Sequence, residues 1–137
     1  MHTSYWSFTP PPIISYSDLE MSILVIINDP PYGTETAYNA LRMILAIHKK
    51  NEADQIRLFL MADAVTVALK NQDTPKGFYN LERMLRGIMA KGTTVSLCGT
   101  CMNARGLEEN GLIDGCSRGS MDELASWVIE ADRVLTF

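Results

Sequence analysis

Ile23-Leu24-Val25-Ile26-Ile27 is an unbroken run of β-branched and apolar residues, and it limits what this chain can fold into. A strand with one wet face alternates apolar with polar residues. A run that is apolar at every position reads as a strand covered on both faces, as in a parallel sheet. Parallel strands need long crossovers, usually helices, and the rest of the chain supplies them. Asn28 to Gly33 reads as a loop with two prolines, and Thr34 as the cap of a helix reaching about Lys49. Ala37, Ala40, Leu41, Ile44, Leu45 and, less clearly, His48 fall at helical spacing along it.

The alternation continues to the end. Ile56 to Met61 reads as a second strand, with Asp63 capping a short helix through Ala68-Leu69. Lys70 to Gly77 is a polar loop. Tyr79 to Ala90 is helical, with Leu81, Met84, Leu85 and Ile88 on one face, and Gly92 stops it. Thr93 to Leu97 is the third strand, residues 101–110 a short helix or irregular turn, and Leu112 to Ser117 a short fourth strand. Ser120 with Glu123 forms a capping-box pattern, ahead of a helix with Met121, Leu124, Ala125 and Val128 on its apolar face. Val134 to Phe137 is the last strand. Strands alternating with helices predict an α/β domain with right-handed crossovers. Such sheets gather ligands and catalytic groups at the carboxyl ends of their strands.

A chain of 137 residues is one domain's worth. With 47% apolar and 20% charged residues, global disorder is excluded. A net charge of −4 leaves no basic stripe for nucleic acid, and no apolar run is as long as a membrane span. Residues 1–20 stand apart: they hold Pro10-Pro11-Pro12, several aromatics and no Lys or Arg, and lack the parts of a secretory signal. They read as a disordered extension or an upstream misassigned start, with packing on a partner subunit as the competing reading. The domain is expected to span 21–137.

Three cysteines do not make a secreted disulfide scaffold; they point to a reducing compartment, the cytoplasm. Cys98-Gly99-Thr100-Cys101 follows the third strand directly, with Arg105 four residues on. The thiolate is the reactive form of cysteine, and a helix start or a nearby guanidinium favours it. Two thiols at this spacing suit disulfide exchange, and the competing reading is plain packing at a strand end. A zinc site needs four ligands. Only Cys116, His2 and His48 remain to complete one, so no metal site within one chain is expected. Gly99 and Gly106 permit close approach and tight turning. Asp29, Tyr32 and Gly33, with Asp63, sit at strand ends where they either line the cysteine pocket or only shape turns. Cys116 is expected at a strand end as a core or interface residue, and His48 as a partly buried or surface residue. The eight methionines suit helix-face packing or subunit contact.

Residues 21–137 resemble the DsrE/DsrF-like sulfur-relay superfamily, and specifically its YchN-type branch. The resemblance is carried by Asn28-Asp29-Pro30-Pro31-Tyr32-Gly33-Thr34-Glu35, by Arg57 to Val65, by Leu97-Cys98-Gly99-Thr100-Cys101-Met102-Asn103-Ala104-Arg105-Gly106, by Leu112 to Gly115, and by Ala131 to Phe137. It implies a three-layer sandwich with a five-stranded parallel sheet of flavodoxin-like type. It also implies a homotrimer or homohexamer with the cysteine loop near subunit contacts. In sulfur-relay relatives a cysteine at the position of Cys98 carries a persulfide between a donor and an acceptor protein. Cys101 belongs to the YchN-type branch and not to the relay subunits, so it can resolve the persulfide or form a disulfide. Thiol exchange of this kind requires no organic cofactor. Two alternatives stand beside the carrier: a non-enzymatic oligomeric or redox-sensing module with structural cysteines, and a dithiol reductase using Cys98 and Cys101.

Overall fold

The computed structural model describes residues 2–15 and 20–137. Its five parallel strands are β1 (Ser22–Ile27), β2 (Gln55–Leu60), β3 (Thr94–Cys98), β4 (Cys116–Gly119) and β5 (Arg133–Thr136), in spatial order β4-β3-β2-β1-β5. The helices are α1 (Thr36–Lys50), α2 (Leu81–Ala90), α3 (Gly99–Ala104) and α4 (Met121–Glu130). A 3-10 helix covers Ala62–Ala68 and a short 3-10 turn Glu109–Gly111.

The order explains the layers. From β1 to β4 the chain steps across the sheet in one direction, then returns past β1 to lay down β5. Right-handed crossovers therefore put α1, α2 and α3 on one face and α4 on the other. The face under α4 is fixed by contacts: Phe59 meets Trp127 edge-on at 6.0 Å, Arg57 pairs with Glu130 at 2.6 Å, and Ser96 bonds Glu123. Phe59 and Ser96 are register partners, so they share that face. On the other face Ala37, Ala40, Leu41 and Ile44 of α1 and Leu81, Leu85 and Ile88 of α2 are fully buried. Leu24, Val25 and Ile27 of β1 are equally covered, as the unbroken apolar run requires.

Several elements lie elsewhere than the sequence suggests. Helix α1 is capped by Glu35 without a side-chain bond. Thr34 instead donates to Asp29 (3.3 Å) and receives the Thr36 N–H (3.4 Å). Asp63 is inside the 3-10 helix, whose cap is Met61. Helix α2 starts at Leu81, because the Asn80 side chain accepts the Arg83 N–H at 3.0 Å. Of the expected fourth strand, Leu112 to Ser117, only Cys116 and Ser117 lie in β4. Leu112 and Ile113 are buried against the 3-10 helix, through a bridge to Leu69 and an Ile113 N–H bond to Ala68. Strand β4 runs on through the polar Arg118 to Gly119, so Cys116 begins a strand and does not end one. On α4, Ser120 caps as expected, accepting the Glu123 N–H at 3.2 Å, but the Glu123 carboxylate reaches down to Ser96. Of its expected apolar face only Leu124 is buried; Met121 and Val128 are exposed, beside Ile129 at 84% and Val134 and Leu135 of β5.

Residues 2–15 form neither helix nor strand and are exposed, Tyr5, Trp6 and Phe8 included. The expected disorder of residues 1–20 falls partly on residues 1 and 16–19, which lie outside the described residues. Among the described residues no helix is long and apolar enough to cross a membrane.

Candidate functional site

Strand β3 delivers Cys98 to the carboxyl edge of the sheet, and the chain turns at once into α3, two residues earlier than the sequence suggests. Cys98 is the cap of that helix: its Sγ accepts the Cys101 N–H at 3.3 Å. The Thr100 hydroxyl lies 3.5 Å from the same sulfur. Cys98 is only 4% exposed, while Thr100 faces solvent. Helix α3 has six residues, so its summed dipole is small, and these close donors do the work that a longer helix would share. Burial pushes the Cys98 thiol up. Hydrogen bonds from the Cys101 and Thr100 side chains and from their backbone N–H groups outweigh it, and the net direction is down.

Cys101 is displaced the other way. Burial, its hydrogen bond to Cys98 and the charge forming there all hold its proton on, against the smaller pull of the Ala62 N–H and Arg105. Ala62 donates to Cys101 Sγ at 3.3 Å. It does so from φ +49°, a left-handed backbone that an L-alanine rarely adopts. The two thiols thus divide their roles: one is poised to lose its proton and the other to keep it.

Arg105 does not reach either sulfur in a hydrogen bond. It donates to the Cys101 carbonyl at 3.1 Å and forks onto Asp63 Oδ1 at 2.8 and 3.0 Å, locking α3 to the 3-10 helix. Asp63 therefore belongs to the site as the partner of Arg105. Gly106, at φ +64°, turns the chain out of α3. Gly99 is required by crowding: a Cβ there would stand 2.9 Å from Arg118 Nε and 3.0 Å from the Gly119 carbonyl. Arg118, on the neighbouring β4, donates to the Gly99 carbonyl (3.1 Å) and to Asn103 (2.7 Å), bracing the cysteine loop from the side.

The loop after β1 takes the turn-shaping role. Tyr32 donates to Gln72 at 2.6 Å, receives the Leu81 N–H at 3.2 Å and stacks near Tyr79. Asp29 holds Thr34, and Gly33 supplies a φ of +96°. Tyr32 fastens the loop to the start of α2, and Asp29 and Gly33 shape the loop itself. Cys116 lies at the other end of the sheet edge, its Sγ 3.8 Å from Met89 Sδ, and burial pushes its thiol up to about 12. His48 is partly buried and bonds Thr93 at 2.7 Å. Among the described residues no three His, Cys, Asp or Glu side chains gather as a metal site.

Sequence reasoning missed Ala62 and Arg118. Ala62 acts through a backbone N–H, and Arg118 comes from a strand that the sequence places too early. The Arg57 to Val65 stretch already contained Ala62, but nothing in an alanine signals a left-handed backbone.

A parallel α/β sandwich with a buried thiol at one strand end and a second thiol beside it defines a class of small thiol proteins. Residues 21–137 match the DsrE/DsrF-like family, and the chain belongs to it. The YchN protein of Escherichia coli is 43% identical over 115 residues, covering 84% of this chain and 97% of that protein. An uncharacterised protein of Methanocaldococcus jannaschii is 39% identical over 117 residues, covering 85% and 100%. The crystal structure of YchN from Escherichia coli superposes with a TM-score of 0.81 at 42% identity, over 85% of this chain and 99% of that one. A protein of unknown function from Methanobacterium thermoautotrophicum shares the fold at 12% identity, with a TM-score of 0.64 over 86% and 100% of the two chains.

Proposed function

We propose that this protein carries sulfane sulfur as a persulfide on Cys98. The observation that supports it most is the set of donors converging on the Cys98 sulfur, which outweighs the effect of burial and favours the thiolate. The Cys98 thiolate attacks the outer sulfur of a donor persulfide. The S–S bond of the donor breaks, the donor leaves as a thiolate, and Cys98 holds the sulfur. An acceptor thiolate then attacks that outer sulfur and regenerates the Cys98 thiolate. Electrons and atoms balance without a metal or organic cofactor.

The donor and the acceptor are proteins or small thiols that reach the sheet edge near Thr100. Self-association fits the same reading. Met121, Val128 and Ile129 leave apolar side chains of α4 exposed, and Val134 and Leu135 do so on the edge strand β5, surface that a partner copy would cover. A homotrimer, or a homohexamer built from two trimers, in the cytoplasm is the assembly proposed. The test is intact mass after incubation with a persulfide donor. Wild type gains one sulfur atom and Cys98→Ser gains none. An equal gain in both, or a gain in neither, contradicts the reading.

A further inference from the structure

The Cys101 N–H and the Thr100 hydroxyl both bond the Cys98 sulfur, but they differ in kind. The N–H, at 3.3 Å, belongs to the helix backbone and can only donate. The hydroxyl, at 3.5 Å, can donate or accept, and it turns about its C–O bond to suit the sulfur. A protonated Cys98 can offer its S–H to that oxygen. A Cys98 thiolate has no proton, so the bond persists only with Thr100 as the donor. Position separates the two residues as well: Cys98 is 4% exposed, while Thr100 faces solvent. The charged side chains nearby are engaged elsewhere. Arg105 of α3 is bonded to Asp63 of the 3-10 helix and to the Cys101 carbonyl, Arg118 of β4 to Gly99 and Asn103, and Glu123 of α4 to Ser96. The ionisable neighbour on α3 is Cys101, whose sulfur accepts the Ala62 N–H.

We propose that Thr100 is a catalytic residue: its hydroxyl donates to Cys98 Sγ whenever negative charge stands on that sulfur, first in the free thiolate and again as the carried sulfur leaves. This rests on Cys98 as the carrier, and it names the group that serves the second step. In the loaded state Cys98 Sγ is bonded to the outer sulfur and is neutral. An acceptor thiolate attacks the outer sulfur, the S–S bond breaks, and its electron pair returns to Cys98 Sγ. Cys98 is then the leaving group, and a leaving thiolate departs faster the better its charge is held. A donor already in place where charge develops lowers the barrier of such a step. The hydroxyl acts without proton transfer: the Thr100 proton stays on its oxygen throughout.

The test compares wild type, Thr100→Val and Thr100→Ser in the full chain. Valine keeps the branched shape without the hydroxyl, and serine keeps the hydroxyl without the methyl. Thr100 is exposed, so neither change opens the core, and Thr100→Ala serves as a second chain without the hydroxyl. The first readout is the pH profile of Cys98 alkylation by iodoacetamide, read peptide by peptide. In Thr100→Val the midpoint rises and labelling at neutral pH slows about threefold to tenfold, the worth of one hydrogen bond. Thr100→Ser stays near wild type. The second readout loads each chain with a small-molecule persulfide and follows by intact mass the loss of one sulfur atom to excess glutathione. Thr100→Val discharges more slowly than wild type, and Thr100→Ser does not. A valine chain that matches wild type in either readout overturns the proposal. So does a serine chain as slow as the valine one, which would make Thr100 a packing residue. Alkylation needs no sulfur donor, so a wild type that takes up no sulfur beside a raised midpoint in Thr100→Val would sink the carrier and the discharge step, and leave the hydroxyl's hold on the thiolate standing.

Discussion

Cys98 and Cys116 lie on neighbouring parallel strands, yet their surroundings drive the same thiol in opposite directions. Cys98 ends β3 and Cys116 begins β4. At the carboxyl end the chain turns into a helix, so the Cys101 N–H and the Thr100 hydroxyl point back at the sulfur. At the amino end the Cys116 sulfur meets Met89, and burial acts with only a partial offset from Arg86. Burial alone makes a thiol inert; burial with donors makes it reactive. The contrast is the reason strand ends of a parallel sheet are unequal as chemical sites.

The largest effect should come from Gly119, which pairs in register with Cys98. A Cβ there would stand 2.6 Å from Glu123 Oε1 and would also overlap Ser96 Oγ. Gly119→Ala is expected to destabilise the fold by about 1–3 kcal/mol, the range for overpacking, measured by urea unfolding. It should also slow Cys98 labelling, since β4 carries the Arg118 brace. Unchanged stability and labelling would remove β4 from the account of the site.

Cys116 gives a smaller effect with a definite sign. Its folded value is raised from 9.0 to about 12. The folded state therefore holds a proton that the unfolded state loses above about 9, and stability from this group is full below 9 and falls as pH rises towards 12. Cys116→Val should flatten that part of the pH–stability curve relative to wild type. Equal slopes from pH 9 to 12 would mean that the Cys116 environment is not as closed as its contacts imply. The smallest effect is expected at Asp63. Its bond to Arg105 is largely exposed, so Asp63→Asn should change stability by about 0–1 kcal/mol, measured by thermal unfolding. A larger loss would show that the bond holds the 3-10 helix, and with it Ala62, in place.

The sequence made the buried half of the fold legible and the edges less so. Ile23 to Ile27 is apolar because both of its faces are covered, and that pattern is local. Strand β4 is Cys-Ser-Arg-Gly, polar because it is an edge. The nearby Leu112-Ile113 pair looks more like a strand, yet it is buried as a loop against Ala68 and Leu69. The site divides in the same way. Cys98, Cys101 and Gly99 announce themselves by spacing, and Asp63 joins through the bond to Arg105. Ala62 reaches Cys101 from 39 positions away and Arg118 reaches Gly99 from 19, in contacts set by tertiary packing, and no local pattern encodes them.

The most direct measurement is residue-resolved alkylation of the three cysteines in the wild-type chain as a function of pH. The account predicts that Cys98 is modified first, with a midpoint below the ordinary 9.0, and that Cys116 stays unmodified until far higher pH. A Cys98 that titrates at or above 9.0, or a Cys116 that reacts as readily as Cys98, would contradict it.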